Sequence, residues 1–241
     1  MSKFIQILVG AFALTLAVAQ QARADVQIMP PTQPVAGQSQ LSWAEEWYRW
    51  VSGIPAANNP IHDTTGNNAR VNNNRPVFFL AGTFGTGPVA RKIKVPYGKP
   101  VIFPVLNQAF AAVNFETGNY DPSPCTSPLT VKCAIGALSI SKAVNMSVQI
   151  DGVTLDNQQV TTYRQTSTAF FAVAVSGNNV WGTPVENYNR CCARQPLWVQ
   201  DGYWITLVNL SPGTHLLHFH GEIPEAFFSV DVTDTLDVQN D

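Results

Sequence analysis

Chemistry could concentrate in one stretch of this chain, His215-Leu216-Leu217-His218-Phe219-His220-Gly221-Glu222, which holds three of its four histidines. Side chains on a strand alternate between faces. Leu216, His218, His220 and Glu222 would therefore share one face, and His215, Leu217 and Phe219 the other. Two imidazoles at i and i+2 are spaced to share a divalent transition metal such as zinc or copper, with Glu222 or Glu225 as the carboxylate. His218-x-His220 followed by Glu225 also matches the His-x-His-x4-Glu spacing of cupins. A cupin needs another histidine downstream, however, and none follows His220; His62 is the only distant one. Blue copper would require a cysteine near these histidines, which the sequence does not supply. The preferred reading keeps Leu217 and Phe219 in the core and leaves the imidazoles on the solvent face of an outer strand. On that reading no cofactor is expected, and the metal reading is the alternative.

Other reactive patterns are missing. The chain has no Gly-x-Ser-x-Gly elbow, no phosphate-binding glycine loop and no His-Glu-x-x-His. What it offers instead is aromatic surface for contact: Tyr120, Trp181, Tyr188, Trp198 and Tyr203 are the candidate ligand-binding residues. Non-enzymatic binding of a protein partner, a glycan or a surface is the expected function, with a cupin-like metal protein or enzyme as the alternative.

The elements that must position these residues are mostly strands. One helix is expected: Ser42 and Glu45 read as a capping box ahead of Trp43, Trp47, Trp50 and Val51, a stripe ended by Gly53 and Pro55. Three tryptophans on one face suggest a helix buried against a sheet rather than an exposed sugar-stacking platform, because exposing that surface is costly. Residues 55–76 are rich in Asn, Gly and Pro and read as loop, with Asp63 too isolated a carboxylate for a calcium site.

From residue 77 on, short runs rich in β-formers recur between turn signals. They include Val77–Leu80, Arg91–Val95, Val101–Leu106, Ala169–Val175, Tyr203–Asn209, His215–His220 and Ala226–Val232. Met146–Ile150, Asp151-Gly152 and Val153–Leu155 read as a hairpin, whereas Ala134–Ala143 is ambiguous between helix and covered loop. The pattern predicts an all-β protein, a β-sandwich or jelly roll with one short N-terminal amphipathic helix. Residues 42–241 are expected to form one domain, with candidate sub-sheets over 77–135 and 146–235, preceded by an extended leader over 25–41.

Residues 1–24 read as a signal peptide. Lys3 gives a positive start, Phe4 to Ala19 an apolar stretch too short to span a bilayer, and Ala22-Arg23-Ala24 a small-x-small cleavage site. The protein is expected to be exported, periplasmic or extracellular, with no stable membrane insertion once the segment is cut. Removing Lys3 and Arg23 from the 14 basic side chains leaves 12 against 16 acidic ones, a net charge of −4. With no basic cluster to neutralise phosphates, nucleic acid is excluded as a partner. Of 241 residues only 12% are charged and 45% are hydrophobic, which suits a buried core and argues against a disordered chain. Export favours disulfides among Cys125, Cys133, Cys191 and Cys192. Cys125 pairs easily with Cys133 across a Pro-rich loop, and crossed pairing with adjacent Cys191 and Cys192 stays open.

Several segments together resemble a family of secreted, β-rich bacterial proteins to which no activity attaches. They are Trp47-Tyr48-Arg49-Trp50, Val77-Phe78-Phe79-Leu80-Ala81-Gly82-Thr83, Val95-Pro96-Tyr97-Gly98-Lys99-Pro100 with Phe103-Pro104-Val105-Leu106-Asn107, and Leu210-Ser211-Pro212-Gly213-Thr214-His215. The resemblance implies export and a β-rich fold and assigns no catalytic residue. The Asp151-Gly152 hairpin and the Leu210–His215 turn are, in addition, similar to Ig-like modules of secreted proteins.

Overall fold

The computed structural model describes residues 26–85, 87–126, 128–184 and 197–240. The strands in chain order are β1 (Gln27–Ile28), β2 (Phe78–Phe79), β3 (Val89–Pro96), β4 (Val101–Ala111), β5 (Val144–Ile150), β6 (Val153–Leu155), β7 (Arg164–Thr166), β8 (Phe171–Ala172), β9 (Leu197–Val208), β10 (Gly213–Ile223) and β11 (Phe228–Gln239). Among the described residues three α-helices accompany them: α1 (Gln40–Ser52), α2 (Val131–Gly136) and α3 (Asn157–Thr161). The fold is thus all-β in character, built on two mixed sheets.

The first sheet runs β1-β9-β4-β2, with β7 and β8 also pairing with β9. The second runs β3-β11-β10-β5-β6. Most pairs are antiparallel, but β2 joins β4, and β3 joins β11, in parallel. Neither sheet keeps to the divisions 77–135 and 146–235. Strand β4 pairs with the distant β9 while its neighbour β3 crosses to β11, because burying the apolar faces of both takes two layers.

Each apolar stripe has a defined destination. Strand β10 alternates as its sequence suggests: His215, Leu217, Phe219 and Ile223 point inward, while Leu216, His218, His220 and Glu222 point outward. Its inward side chains join Ile93 of β3, Val148 of β5 and Leu236 of β11 in one cluster with Val101, Phe103 and Ile205 of the first sheet. The Phe103 and Phe219 rings lie 4.9 Å apart. On its opposite face the first sheet carries α1, whose Trp43, Trp47 and Trp50 pack with Phe79, Ile102 and Trp204. Strand β4 is therefore covered on both faces, which explains its near-continuous apolar run.

The three helix tryptophans are buried, and each indole N–H finds a backbone carbonyl. Trp43 donates to Val35 at 2.7 Å, Trp47 to Leu80 at 2.8 Å and Trp50 to Val71 at 2.9 Å. A buried indole left unpaired would be costly, so these bonds fix how the surrounding loops lie on α1. The helix starts earlier than Ser42. Ser39 is the N-cap, accepting from the Ser42 N–H at 3.1 Å, and Glu45 instead accepts from the Ser167 hydroxyl at 3.0 Å. Residues read as a leader also belong to the packed structure. Gln27–Ile28 pair with Leu207–Val208, and Gln40 binds the Pro30 and Gln33 carbonyls while accepting from Thr206.

The loop over 55–76 is ordered by its amides. Buried Asn59 donates to the Val51 carbonyl in the last turn of α1 and to the Ile54 carbonyl just beyond it, and buried Asn73 bridges Ala69 and Phe79. Gly66 lies so close to β3 that a Cβ would stand 2.3 Å from the Lys92 carbonyl oxygen, and its φ of +93° suits only glycine. The predicted hairpin forms, with Asp151 and Gly152 both at positive φ. The ambiguous stretch over 134–143 resolves into the end of α2 and a 3₁₀ turn at Ile140–Lys142.

Candidate functional site

One irregularity in β4 creates the site. Opposite β9 the register slips between Pro104 and Leu106, so Val105 is an extra residue on its strand. Before this bulge the even-numbered Ile102 faces α1; after it the odd-numbered Ala109 and Ala111 do. Asn107 is thereby turned toward α1, where its side-chain N–H donates to the Tyr48 hydroxyl at 2.8 Å. Gly202 sits opposite Asn107, and a Cβ there would stand 2.8 Å from the Asn107 Cβ. The pair is a side chain and the space made for it.

Around Asn107 opens a cleft of about 330 Å³, within the range of small-ligand sites. Its floor is aromatic: Trp47 and Tyr48 from α1 and Trp198 from β9, all nearly inaccessible. Its rim is aromatic too, and wet. Phe84 is 41% exposed and Phe115 40%, with Trp181 and Phe228 partly buried beside them. The rings touch in series: Phe84 to Trp181 at 5.8 Å, Trp181 to Trp198 at 5.6 Å and Trp198 to Tyr48 at 5.8 Å. Trp181 is held by its indole N–H, which donates to Ser52 at the end of α1 at 3.0 Å.

The polar complement is small and uncharged. Gln108 and Ser139 hydrogen-bond each other at 3.0 Å across the wall that Ala137, Leu138 and Ser139 supply. That wall follows α2, which the Cys125–Cys133 disulfide ties to the preceding loop. None of the described residues lining the cleft is an Asp, Glu, Lys, Arg or His. Among the described lining residues Tyr48 is the one titratable group, and burial pushes its hydroxyl far above the usual range, the Asn107 bond opposing this and the nearby Asp201 adding to it. It stays a neutral phenol. Asp201 itself is engaged away from the cleft, accepting from Arg164 and from the Thr166 hydroxyl at 2.8 Å. Among the described residues, the cleft thus offers aromatic faces, amides and a neutral phenol for contact.

Of the aromatic candidates, the structure brings Trp181 and Trp198 together in this cleft. Tyr203 is instead buried in the core between the sheets, and Tyr120 lies outside the cleft, half exposed and bridged to Val113. Tyr188, Cys191 and Cys192 lie outside the described residues.

The histidines are dispersed among separate partners. His218 donates to Asp231 at 2.9 Å and His220 to Glu222 at 3.1 Å, on the outward face of β10. Glu225 stands 3.7 Å from Lys142, and His62 packs against the Phe84 ring. Among the described residues no group of three or more His, Cys, Asp or Glu is gathered to hold a metal ion. The open face of a sheet lets each imidazole take its nearest carboxylate. Inward-facing His215 has a structural role: its ring nitrogens meet the Asp151 carboxylate and, at 2.8 Å, the Ser211 carbonyl. It thereby ties the hairpin turn to the start of β10.

Sequence reasoning missed Phe84, Asn107, Gln108, Phe115 and Phe228. Only the amides following an otherwise apolar β4 run gave a signal, since Asn107-Gln108 interrupts what reads as a fully covered strand. The chain matches no family model, no curated protein and no solved structure. Among the described residues no helix is long and apolar enough to cross a membrane.

Proposed function

We propose that this is an exported, non-enzymatic β-sandwich protein that captures a ligand in the aromatic cleft between α1, β4 and β9. The sandwich reading rests on the shared core of the two sheets. Export is supported by the Lys3, Phe4–Ala19 and Ala22-Arg23-Ala24 pattern and by the Cys125–Cys133 disulfide, a bond that persists in oxidising compartments. One observation carries the binding function: a hollow of about 330 Å³ rimmed by half-exposed Phe84 and Phe115 and, among the described residues, lined by no charged side chain. Wetted aromatic surface has a free-energy cost that ligand burial removes, at roughly 25 cal/mol for each Å² covered.

The hollow's shape favours a small group, whether free or at the end of a glycan or partner, over a flat surface. A glycan-array and pull-down screen of the exported protein tests the proposal. The expected result is a ligand whose binding is lost in Phe84→Ala/Trp181→Ala. Reproducible turnover of an ester, glycoside or peptide, abolished by the same changes, would replace binding with catalysis.

A further inference from the structure

We infer that the cleft takes an uncharged saccharide unit, the size of a mono- or disaccharide; this rests on the binding reading above. The first ground is electrostatic. A carboxylate, sulfate or phosphate entering the cleft would give up water and, among the described lining residues, meet no cationic side chain. Desolvation without a counter-charge is strongly unfavourable, so acidic sugars and anionic lipids are disfavoured.

The second ground separates a sugar from a purely apolar guest. Asn107 donates one amide hydrogen to the Tyr48 hydroxyl, which leaves the Asn107 carbonyl oxygen an open acceptor and the Tyr48 O–H an open donor among the described residues. An acceptor beside a donor is the complement of a sugar hydroxyl, which both gives and receives a hydrogen bond. An apolar guest would cover those two atoms and leave them unpaired, an unfavourable outcome. The third ground is the aromatic rim. The C–H face of a pyranose ring is apolar and flat enough to lie on an aromatic ring while its hydroxyl edge turns to the amides. Phe84 and Trp181 offer such surfaces within reach of Asn107 and Gln108.

Titration of the tryptophan fluorescence of the exported protein tests this with three sets of probes. The first set is neutral disaccharides covering α- and β-linked hexoses and N-acetylhexosamines. The second is acidic counterparts, digalacturonate and a sulfated heparin disaccharide. The third is the neutral apolar dye N-phenyl-1-naphthylamine. We expect saturable binding of at least one neutral disaccharide, with acidic counterparts weaker by about tenfold or more. Phe84→Ala and Asn107→Ala should each weaken that binding by about tenfold, a typical cost of truncating a central contact, with the thermal midpoint of Phe84→Ala unchanged. An acidic sugar binding as tightly as its neutral counterpart overturns the inference. Dye binding alone, lost in Phe84→Ala, overturns the saccharide class and leaves the cleft as a binding site. If no probe of any set binds, the inference and the binding reading fall together.

Discussion

Arg91 and Asp234 face each other on adjacent parallel strands, both almost wholly buried, with the guanidinium bonding the carboxylate through Nε at 2.7 Å and Nη2 at 2.9 Å. The same Nη2 donates to the Ala81 carbonyl at 2.6 Å, so the pair also holds the segment that leads to Phe84 at the cleft rim. Removing one charge from such a pair strands the other in the core. Arg91→Met should therefore cost about 3–5 kcal/mol, whereas Arg91→Met with Asp234→Leu should recover most of it; urea unfolding of the two variants checks this. Asp63 gives a pH-dependent case. Burial pushes its carboxyl up, but bonds from the Thr65 hydroxyl and the Asn68, Thr65 and Gly66 backbone N–H groups together hold it below its ordinary 3.8. A depressed folded value means the ionised carboxylate stabilises the protein above the unfolded value, a contribution lost as pH falls through the folded one. Asp63→Asn should be less stable than the parent at pH 7, and the gap should close as pH falls below roughly 4. Melting curves across pH check it; a gap that persists at low pH contradicts the role of the charge.

At the scale of elements, the sequence made its strongest statements where one period dominated. The i, i+4, i+7, i+8 stripe of α1, the Asp151-Gly152 hairpin and the alternation of β10 are all present because each is decided by local geometry and one buried face. Helix ends were less legible: the capping box read at Ser42 and Glu45 gave way to an N-cap at Ser39, next to Gln40, which is engaged by Pro30, Gln33 and Thr206. The cleft was legible only in fragments. Its walls come from positions as distant as Trp47, Asn107, Ser139, Trp181 and Phe228, and its polar centre depends on a bulge that reverses the parity of β4. No spacing rule reveals a one-residue bulge before the partner strand is known. The element carrying α2 gives a direct test. Cys125 and Cys133 should resist alkylation in unreduced protein by mass spectrometry, and labelling of either would contradict the bond. Cys125→Ser/Cys133→Ser should cost about 2–3 kcal/mol and should weaken ligand binding, because the Ala137–Ser139 wall loses its tether.

At the scale of the whole molecule, a two-sheet framework carries α1 on one face and a polar, histidine-bearing surface on the other, and the proposed export places it outside the cytoplasm. N-terminal sequencing of protein recovered outside the cytoplasm should begin at Asp25, and an intact Met1 would contradict export by signal cleavage. The central claim is that ligand enters the aromatic cleft. Its most direct test is the tryptophan indole N–H region of a ¹⁵N-correlated NMR spectrum, recorded as the best neutral disaccharide is added. The chain has 6 tryptophans, so every indole reports separately. Trp47, Trp181 and Trp198 line the cleft, whereas Trp43 and Trp50 are packed in the core away from it. We predict that the Trp181 and Trp198 signals shift with saturation while those of Trp43 and Trp50 stay in place. Unmoved Trp181 and Trp198 signals at saturating ligand, or disappearance of the disaccharide itself into products, would contradict the account.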